Sequence, residues 1–262
     1  MHWVLQNSFF NEDAYQELHH TLERFDIPYS VHKVVPFIGE LQPAPELNTK
    51  NVICIGSYSM RHVAKKFEWA PGVFDLEPFD FRTQLKHWGS HMLNRGAVIA
   101  TFENAKFLAE ECFIRPIQDS KVFPGKIMGA EEFYSWQKQV VVLKLDFGSS
   151  LTNDTLIQIC PVKKIFSEHR FWVVAGKIVT SSTYKTGRTV HYQPVTDDRY
   201  QKYAEERIAE WKPLDTFVID IADTEDGLKI VEINTLNSCG FYACDIQKLV
   251  MSLEEAYSEP EL

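Results

Sequence analysis

Two carboxylates and a carboxamide, Asp220, Glu232 and Asn234, are spaced to bring three oxygen ligands together. Two apolar runs, 217–222 and 228–233, flank a polar stretch ending in Asp226-Gly227. That pattern predicts a β-hairpin with a loop of about four to six residues. Side chains alternate across a strand, so Phe217, Ile219, Ile221, Val231 and Ile233 are expected on a core face. Asp220, Glu232 and Asn234 then share the other face. Carboxylates held close together repel unless something positive sits between them. Hard oxygen ligands without Cys or His suit Mg²⁺, which keeps several waters and takes its remaining ligands from substrate phosphates. Taken alone, the hairpin fits a solvated strand face equally well.

Positive charge gathers in 114–128, a segment broken by Pro116, Pro124 and Gly125 that carries Arg115, Lys121 and Lys126. Backbone N–H groups and fixed cations in such a loop make a phosphate cradle; a surface loop with solvated lysines accounts for the same residues. A second hairpin turns at Ala175-Gly176, with Arg170, Trp172 and Val174 on one face and Phe171 and Val173 on the other. Tyr184, Lys185 and Arg188 follow it, either reaching a carboxylate substrate or lying in solvent. Gly56, Ser57 and Ser59 end an apolar strand, where open α/β sheets receive ligands, but they form neither glycine fingerprint of nucleotide-binding loops.

The elements that must position these groups alternate. Strands are expected at 2–7, 29–35 and 51–56, with a helix from an Asn11 N-cap to about residue 25 and another over 60–67. A helix over 80–95 places Leu85, Trp88 and Met92 inward. After residue 97 come short strands at 98–102 and 112–115 around a helix-like stretch, a helix at 131–139, and strands at 140–145 and 156–162. Asp197-Asp198 caps a helix carrying Tyr200, Tyr203, Ala204, Ile208 and Trp211, stopped by Pro213. The class is α/β (α+β).

A chain of 262 residues, 45% apolar, can bury one large core or two packed lobes. A net charge of −9 disfavours broad binding to nucleic acid. Five scattered cysteines without a C-x-x-C suit reduced thiols and a cytoplasmic protein. The N-terminus has no basic region before an apolar core, and no apolar run reaches membrane-spanning length. An aromatic content of 13% is compatible with a homodimer.

Four ordered pieces resemble the ATP-grasp superfamily, and in detail a bacterial and phage clade of it named for two arginines and a lysine. They are Phe113-Ile114-Arg115-Pro116, the loop Asp119 to Gly125, the run from Gln158 through Pro161 and Val162 to Glu168-His169-Arg170, and Asp220 with Glu232-Ile233-Asn234. The resemblance covers residues 97–262 as the nucleotide-binding and catalytic region, preceded by a small α/β lobe at 1–96. It implies ATP and Mg²⁺ as cofactors, with Asp220, Glu232 and Asn234 on the metal. Arg115, Lys121, Gly125, Pro161, Val162, Lys163 and Glu168 are implied around the nucleotide, and Arg170 with Lys121 in catalysis. Arg115 stands where a Lys is usual, and the loop has one glycine where richer versions have several. The implied activity is a carboxylate–amine ligase acting through an acyl phosphate on small-molecule or peptide substrates. A non-catalytic ATP-binding module, a small-molecule kinase and a plain α/β protein with a polar hairpin are the alternatives.

Overall fold

The apolar strand β1 (His2–Gln6) takes the middle of a parallel sheet because its residues Trp3, Val4 and Leu5 are at most 1% exposed on both faces. The computed structural model describes residues 1–7, 13–35, 39–118, 122–143 and 150–258. The Asn11 N-cap and the whole loop centre Asp119-Ser120-Lys121 lie outside the described residues. Around β1 stand β2 (Tyr29–Val35), β3 (Glu40–Gln42), β4 (Asn51–Ile55) and β5 (Ala70–Gly72), in the order β3-β2-β1-β4-β5. All neighbours are parallel except β2 and β3. Helix α1 (Asp13–Arg24) covers the face of Trp3, Leu5, Ile53 and Ile55. Helix α2 (Met60–Phe67) covers the face of Val4, Val52 and Cys54.

The chain divides into two compact units, Met1–Leu76 with Ile165–Leu262, and Glu77–Lys164. The second is contiguous. It opens with α3 (Phe81–Trp88), shorter than the helix expected over 80–95 because Gly89, at φ +49, ends it and a 3₁₀ turn follows. Asp80 caps it by accepting from the Thr83 N–H at 3.1 Å. Strands β6 (Val98–Thr101), β7 (Glu111–Pro116), β8 (Lys126–Gly129) and β9 (Leu156–Pro161) form a sheet ordered β6-β9-β7-β8. The described chain between β6 and β7 contains no helix, and β8 begins inside the segment 114–128 expected as a loop. Helix α4 (Ala130–Val141) continues through Val140 and Val141, where the apolar run predicts the start of a strand. Phe133 on α4 is fully buried against Ile114, Ile157 and Ile159, and Trp136 packs on the same cluster.

The rest of the chain completes the first unit. Strands β10 (Ile165–Val174), β11 (Lys177–Thr186), β12 (Thr189–Gln193), β13 (Phe217–Thr224) and β14 (Gly227–Asn234) form an antiparallel sheet ordered β12-β11-β10-β13-β14. Helix α5 (Asp198–Glu210) packs on its apolar face through Tyr200, Ala204 and Ile208. The final helix α6 (Ile246–Tyr257), absent from the sequence reading, lies beside α1 and buries Ile246, Leu249, Val250 and Leu253. Among the described residues no helix is long and apolar enough to cross a membrane.

Candidate functional site

The β10–β11 hairpin is closed by Ala175 and Gly176, both at positive φ (+50 and +77), as the right-handed twist of the strands demands of a two-residue turn. The β13–β14 hairpin is tighter than its polar stretch suggested. Thr224 pairs directly with Gly227, so two residues make the turn and the strands run further than hydropathy indicated. Thr224 steadies the turn: its hydroxyl donates to the Gly227 carbonyl at 2.7 Å and accepts from the Asp226 N–H at 3.1 Å. Asp220 stands opposite Glu232 and Val218 opposite Asn234, which puts the three oxygen-bearing residues on one face. The register shifts between Asp220 and Ile221, so that Ile230, not Val231, pairs with Ile221. Ile230 is therefore fully buried and Val231 only half-buried, which corrects the expected core face.

The neighbouring strand β10 runs antiparallel to β13 and sets Arg170 opposite Asp220 and Glu168 opposite Ala222. One sheet face thus collects Glu168, Arg170, Asp220, Glu232 and Asn234. Arg170 grips Asp220 with a two-pronged pair, Nε to Oδ1 and Nη2 to Oδ2, both at 2.8 Å, and its Nη1 donates to the Gly240 carbonyl at 3.3 Å. Asp220 is 0% exposed and Arg170 5%. The Asn234 amide nitrogen donates to Glu232 Oε1 at 3.1 Å and Asp220 Oδ2 at 3.4 Å. Glu168 accepts from the Tyr184 hydroxyl at 2.9 Å and from Lys185 Nζ at 2.6 Å. Lys185 and Tyr184 therefore point into the site, whereas Arg188 is exposed.

Two aromatic rings back the guanidinium. Arg170 lies 4.7 Å from the Tyr242 ring centre and 5.6 Å from that of Tyr184. Tyr242 stacks on both Tyr184 and Tyr192, at 5.1 and 4.7 Å. Tyr242 escaped the sequence reading because it follows a 3₁₀ turn (Leu236–Ser238) in irregular chain, where no periodicity marks an inward side chain. Its φ of +53, uncommon for a bulky residue, is a signal visible only in the structure.

Burial sets the electrostatics. It pushes the Asp220 carboxyl up to about 6 against the pull of Arg170, with Glu232 and Glu168 adding to the rise. Burial also opposes the Arg170 charge, yet the Asp220 carboxylate beside it holds the guanidinium protonated well above its usual range. Burial raises the Tyr242 phenol to about 12. On the opposite face His169 hydrogen-bonds Ser167 at 2.8 Å and Thr183 at 2.9 Å and stacks on Tyr200. Burial lowers it to about 4, so it is a neutral structural residue at pH 7.

The remaining expected site residues belong to the second unit. Arg115 on β7 pairs with Gln158 on β9, and Pro161 with Cys112. Gly125 lies against the Phe113 ring, which a Cβ at that position would meet at 2.7 Å. Pro161, Val162 and Lys163 are exposed at the end of β9. Lys121 lies outside the described residues.

Among the described residues no group of three or more His, Cys, Asp or Glu side chains is arranged to hold a metal ion. The hard-oxygen set here is two carboxylates and an amide, and N–H donors from Arg170 and Asn234 now satisfy its oxygens. Two carboxylates and an amide oxygen are hard donors of the kind Mg²⁺ takes; to hold it, the Asn234 amide would have to turn its oxygen toward Glu232 and Arg170 would have to release Asp220. A cavity of about 550 Å³ elsewhere in the unit, lined by Lys177, Ile178, Glu205, Ile208 and Lys212, contains none of these residues.

Comparison with known proteins adds an independent line. The model of family 3 of the ATP-grasp clade named for two arginines and a lysine, described as an ATP-grasp domain, matches residues 49–253. No curated protein matches in sequence. Among solved structures, D-alanine–D-alanine ligase from Bacillus anthracis complexed with ATP superposes at a TM-score of 0.63 with 12% identity, covering 98% of this chain and 96% of that one. D-cycloserine synthetase DcsG gives 0.59 at 12% identity, covering 97% and 99%. The ATP-grasp ligase PsnB complexed with a precursor peptide and AMPPNP gives 0.55 at 11%, covering 98% and 97%. At these identities the likeness is one of fold.

Proposed function

The chain belongs to the ATP-grasp domains, in family 3 of the clade named for two arginines and a lysine, and from that premise we propose that it is an ATP- and Mg²⁺-dependent ligase joining a carboxylate to an amine. The observation that carries the proposal is the single sheet face on which Asp220, Glu232 and Asn234 converge around a buried, two-pronged Arg170. A solvated strand face has no reason to bury an arginine–aspartate pair, since burying both charges is costly.

Asp220, Glu232 and Asn234 would hold the magnesium, and Mg·ATP would supply the phosphoryl group that activates the carboxylate as an acyl phosphate. Catalysis of this kind is positioning and charge stabilisation more than covalent chemistry by the protein. Arg170 carries a fixed positive charge for the phosphoryl group in transfer. Lys185 and Tyr184 hold Glu168 in place, so Glu168 acts as an anchor of that charge network. Arg115, Lys121 and Gly125 neutralise and cover the phosphates, and Pro161, Val162 and Lys163 border the nucleotide. His169 takes no proton, being neutral and on the other face. In this reading residues 97–262 work as the nucleotide-binding and catalytic region and 1–96 as a preceding lobe. The buried, unbridged cysteines suit a reducing, cytoplasmic setting. The similar folds include one ligase named for joining D-alanine and one held with a precursor peptide, so amino acids and peptides are the acceptors to screen first.

Thermal melting of wild type and Glu232→Gln with Mg·ATP tests the proposal. A ligand bound only by the native state at a hundred times its Kd adds about 2.7 kcal/mol of stability. Wild type should shift upward and Glu232→Gln should not. Release of ADP only when both a carboxylate and an amine are supplied identifies the ligase; release without an amine identifies a kinase. No Mg·ATP shift in wild type rules the nucleotide reading out.

A further inference from the structure

Arg170 occupies both Asp220 oxygens, the ones that a magnesium held by Asp220 would take. Both Asp220 oxygens accept from the guanidinium, and Asp220 has no exposed surface from which a cation could approach otherwise. The charges facing this spot are Glu168, Asp220 and Glu232 against Arg170 and Lys185, and Lys185 is taken by Glu168. One further divalent cation beside a retained guanidinium would place like charges within a few ångströms in a buried site, where they repel strongly. A polyphosphate arriving with the metal changes the balance, because its oxygens offer the guanidinium an equally good two-pronged acceptor.

Resting on the nucleotide reading above, we propose that Arg170 is the resident counter-ion of the magnesium site. It keeps a bare divalent cation out and yields Asp220 only when a polyphosphate comes with the metal; Tyr242 is the positioning residue that clamps it there. The clamp is two-sided. The Gly240 carbonyl accepts from Nη1 at 3.3 Å, and two residues later the Tyr242 ring lies 4.7 Å from the guanidinium carbon. The ring attracts the cation through its face, and it is held at φ +53 by stacking on Tyr184 and Tyr192.

The test is thermal melting of the full chain with Mg²⁺ alone, ATP with a chelator, and Mg·ATP. Wild type should be indifferent to millimolar Mg²⁺ alone and stabilised by Mg·ATP. Arg170→Met should melt lower without metal and be rescued by Mg²⁺ alone, half-saturating at a concentration roughly tenfold or more below that of wild type, an ordinary coupling between sites. Arg170→Lys, which keeps the charge but loses the two-pronged grip, should be intermediate, and it decides the matter if Arg170→Met does not fold. Tyr242→Leu should admit Mg²⁺ alone, and Tyr242→Phe should behave as wild type. A purely structural tyrosine would lower the melting temperature without altering the Mg²⁺ response. Stabilisation of wild type by Mg²⁺ alone, or an unchanged Mg²⁺ response in both Arg170 variants, overturns this inference while leaving the nucleotide reading intact. No stabilisation by any combination overturns both.

Discussion

At the scale of single residues, the two faces of β10 carry opposite solutions to burying a polar group. Arg170 keeps its charge by pairing with Asp220, whereas His169 gives its charge up and satisfies both ring nitrogens with Ser167 and Thr183. These choices predict opposite dependences on pH. His169 titrates near 4 in the fold and near 6.5 in the unfolded chain, so the unfolded state binds its proton first as pH falls. Stability from this group is whole above pH 6.5 and lost between 6.5 and 4, about 2 kcal/mol of it by pH 5. Asp220, raised to about 6, works the other way: the fold takes the proton first, and stability is gained as pH falls from 6 towards the unfolded value near 3.8. Urea unfolding at pH 7 and pH 5 should therefore show His169→Gln losing less stability on acidification than wild type, by about 2 kcal/mol. An equal loss in both would remove His169 from the acid response. Alternation placed Asp220, Glu232 and Asn234 on one strand face, whereas Arg170 joined them only through the family resemblance, since its pairing with Asp220 crosses strands fifty positions apart. Tyr242 stayed hidden because its position depends on a left-handed backbone after a 3₁₀ turn.

At the scale of elements, a single amide ties the acidic strand to the parallel sheet. Asn237, in the 3₁₀ turn after β14, donates to the Cys54 carbonyl at 2.6 Å and the Gly72 carbonyl at 3.2 Å, and accepts from the Phe74 N–H at 2.8 Å. Its own carbonyl accepts from the Gly56 N–H at 2.9 Å. The side chain thus stitches β4 and β5 to the turn that follows Asn234. Asn237→Ala strands the Phe74 N–H and two carbonyls in a buried place, each unsatisfied group costing about 1–3 kcal/mol. Allowing for relaxation, the loss should be about 2–4 kcal/mol in urea unfolding; a loss under half a kilocalorie would show that water replaces the amide without penalty. The sequence offered this asparagine only as part of a loop after the metal strand. Its partners lie more than 160 positions away, a separation no local pattern reports. The same limit explains the bulge at Val231 and the short strands β3, β5 and β8, whose existence depends on the neighbours they pair with.

At the scale of the whole molecule, the chain leaves one unit, builds another, and returns. Glu77–Lys164 has its own sheet and its own core around Phe133, Ile114 and Ile159. The other unit needs both ends of the chain, because α6 from the far end lies beside α1 from the near end. The Met1 amino group also pairs with Glu254 at 3.2 Å, and Trp3 Nε1 donates to the same carboxylate at 2.5 Å. The alternation of strands and helices made the α/β class legible, and the closing helix was legible too, since Ile246, Leu249, Val250 and Leu253 fall at helical spacing behind the Asp245 N-cap. What no local pattern reports is its packing against α1, β10 and β11. Ile246, Leu249, Val250 and Leu253 on α6 are each at most 4% exposed. At about 1.5–3 kcal/mol for each buried side chain, they contribute roughly 6–12 kcal/mol, comparable with the whole stability of a typical domain. Truncation after Asp245 is therefore expected to unfold the unit formed from both ends while Glu77–Lys164 keeps its core. Amide hydrogen exchange of the truncated chain should show protection lost from β1, β4 and β10–β14 but retained in β7 and β9. Protection surviving in β1 and β4 would mean that α1 and the parallel sheet hold without the helix that the apolar arithmetic makes indispensable.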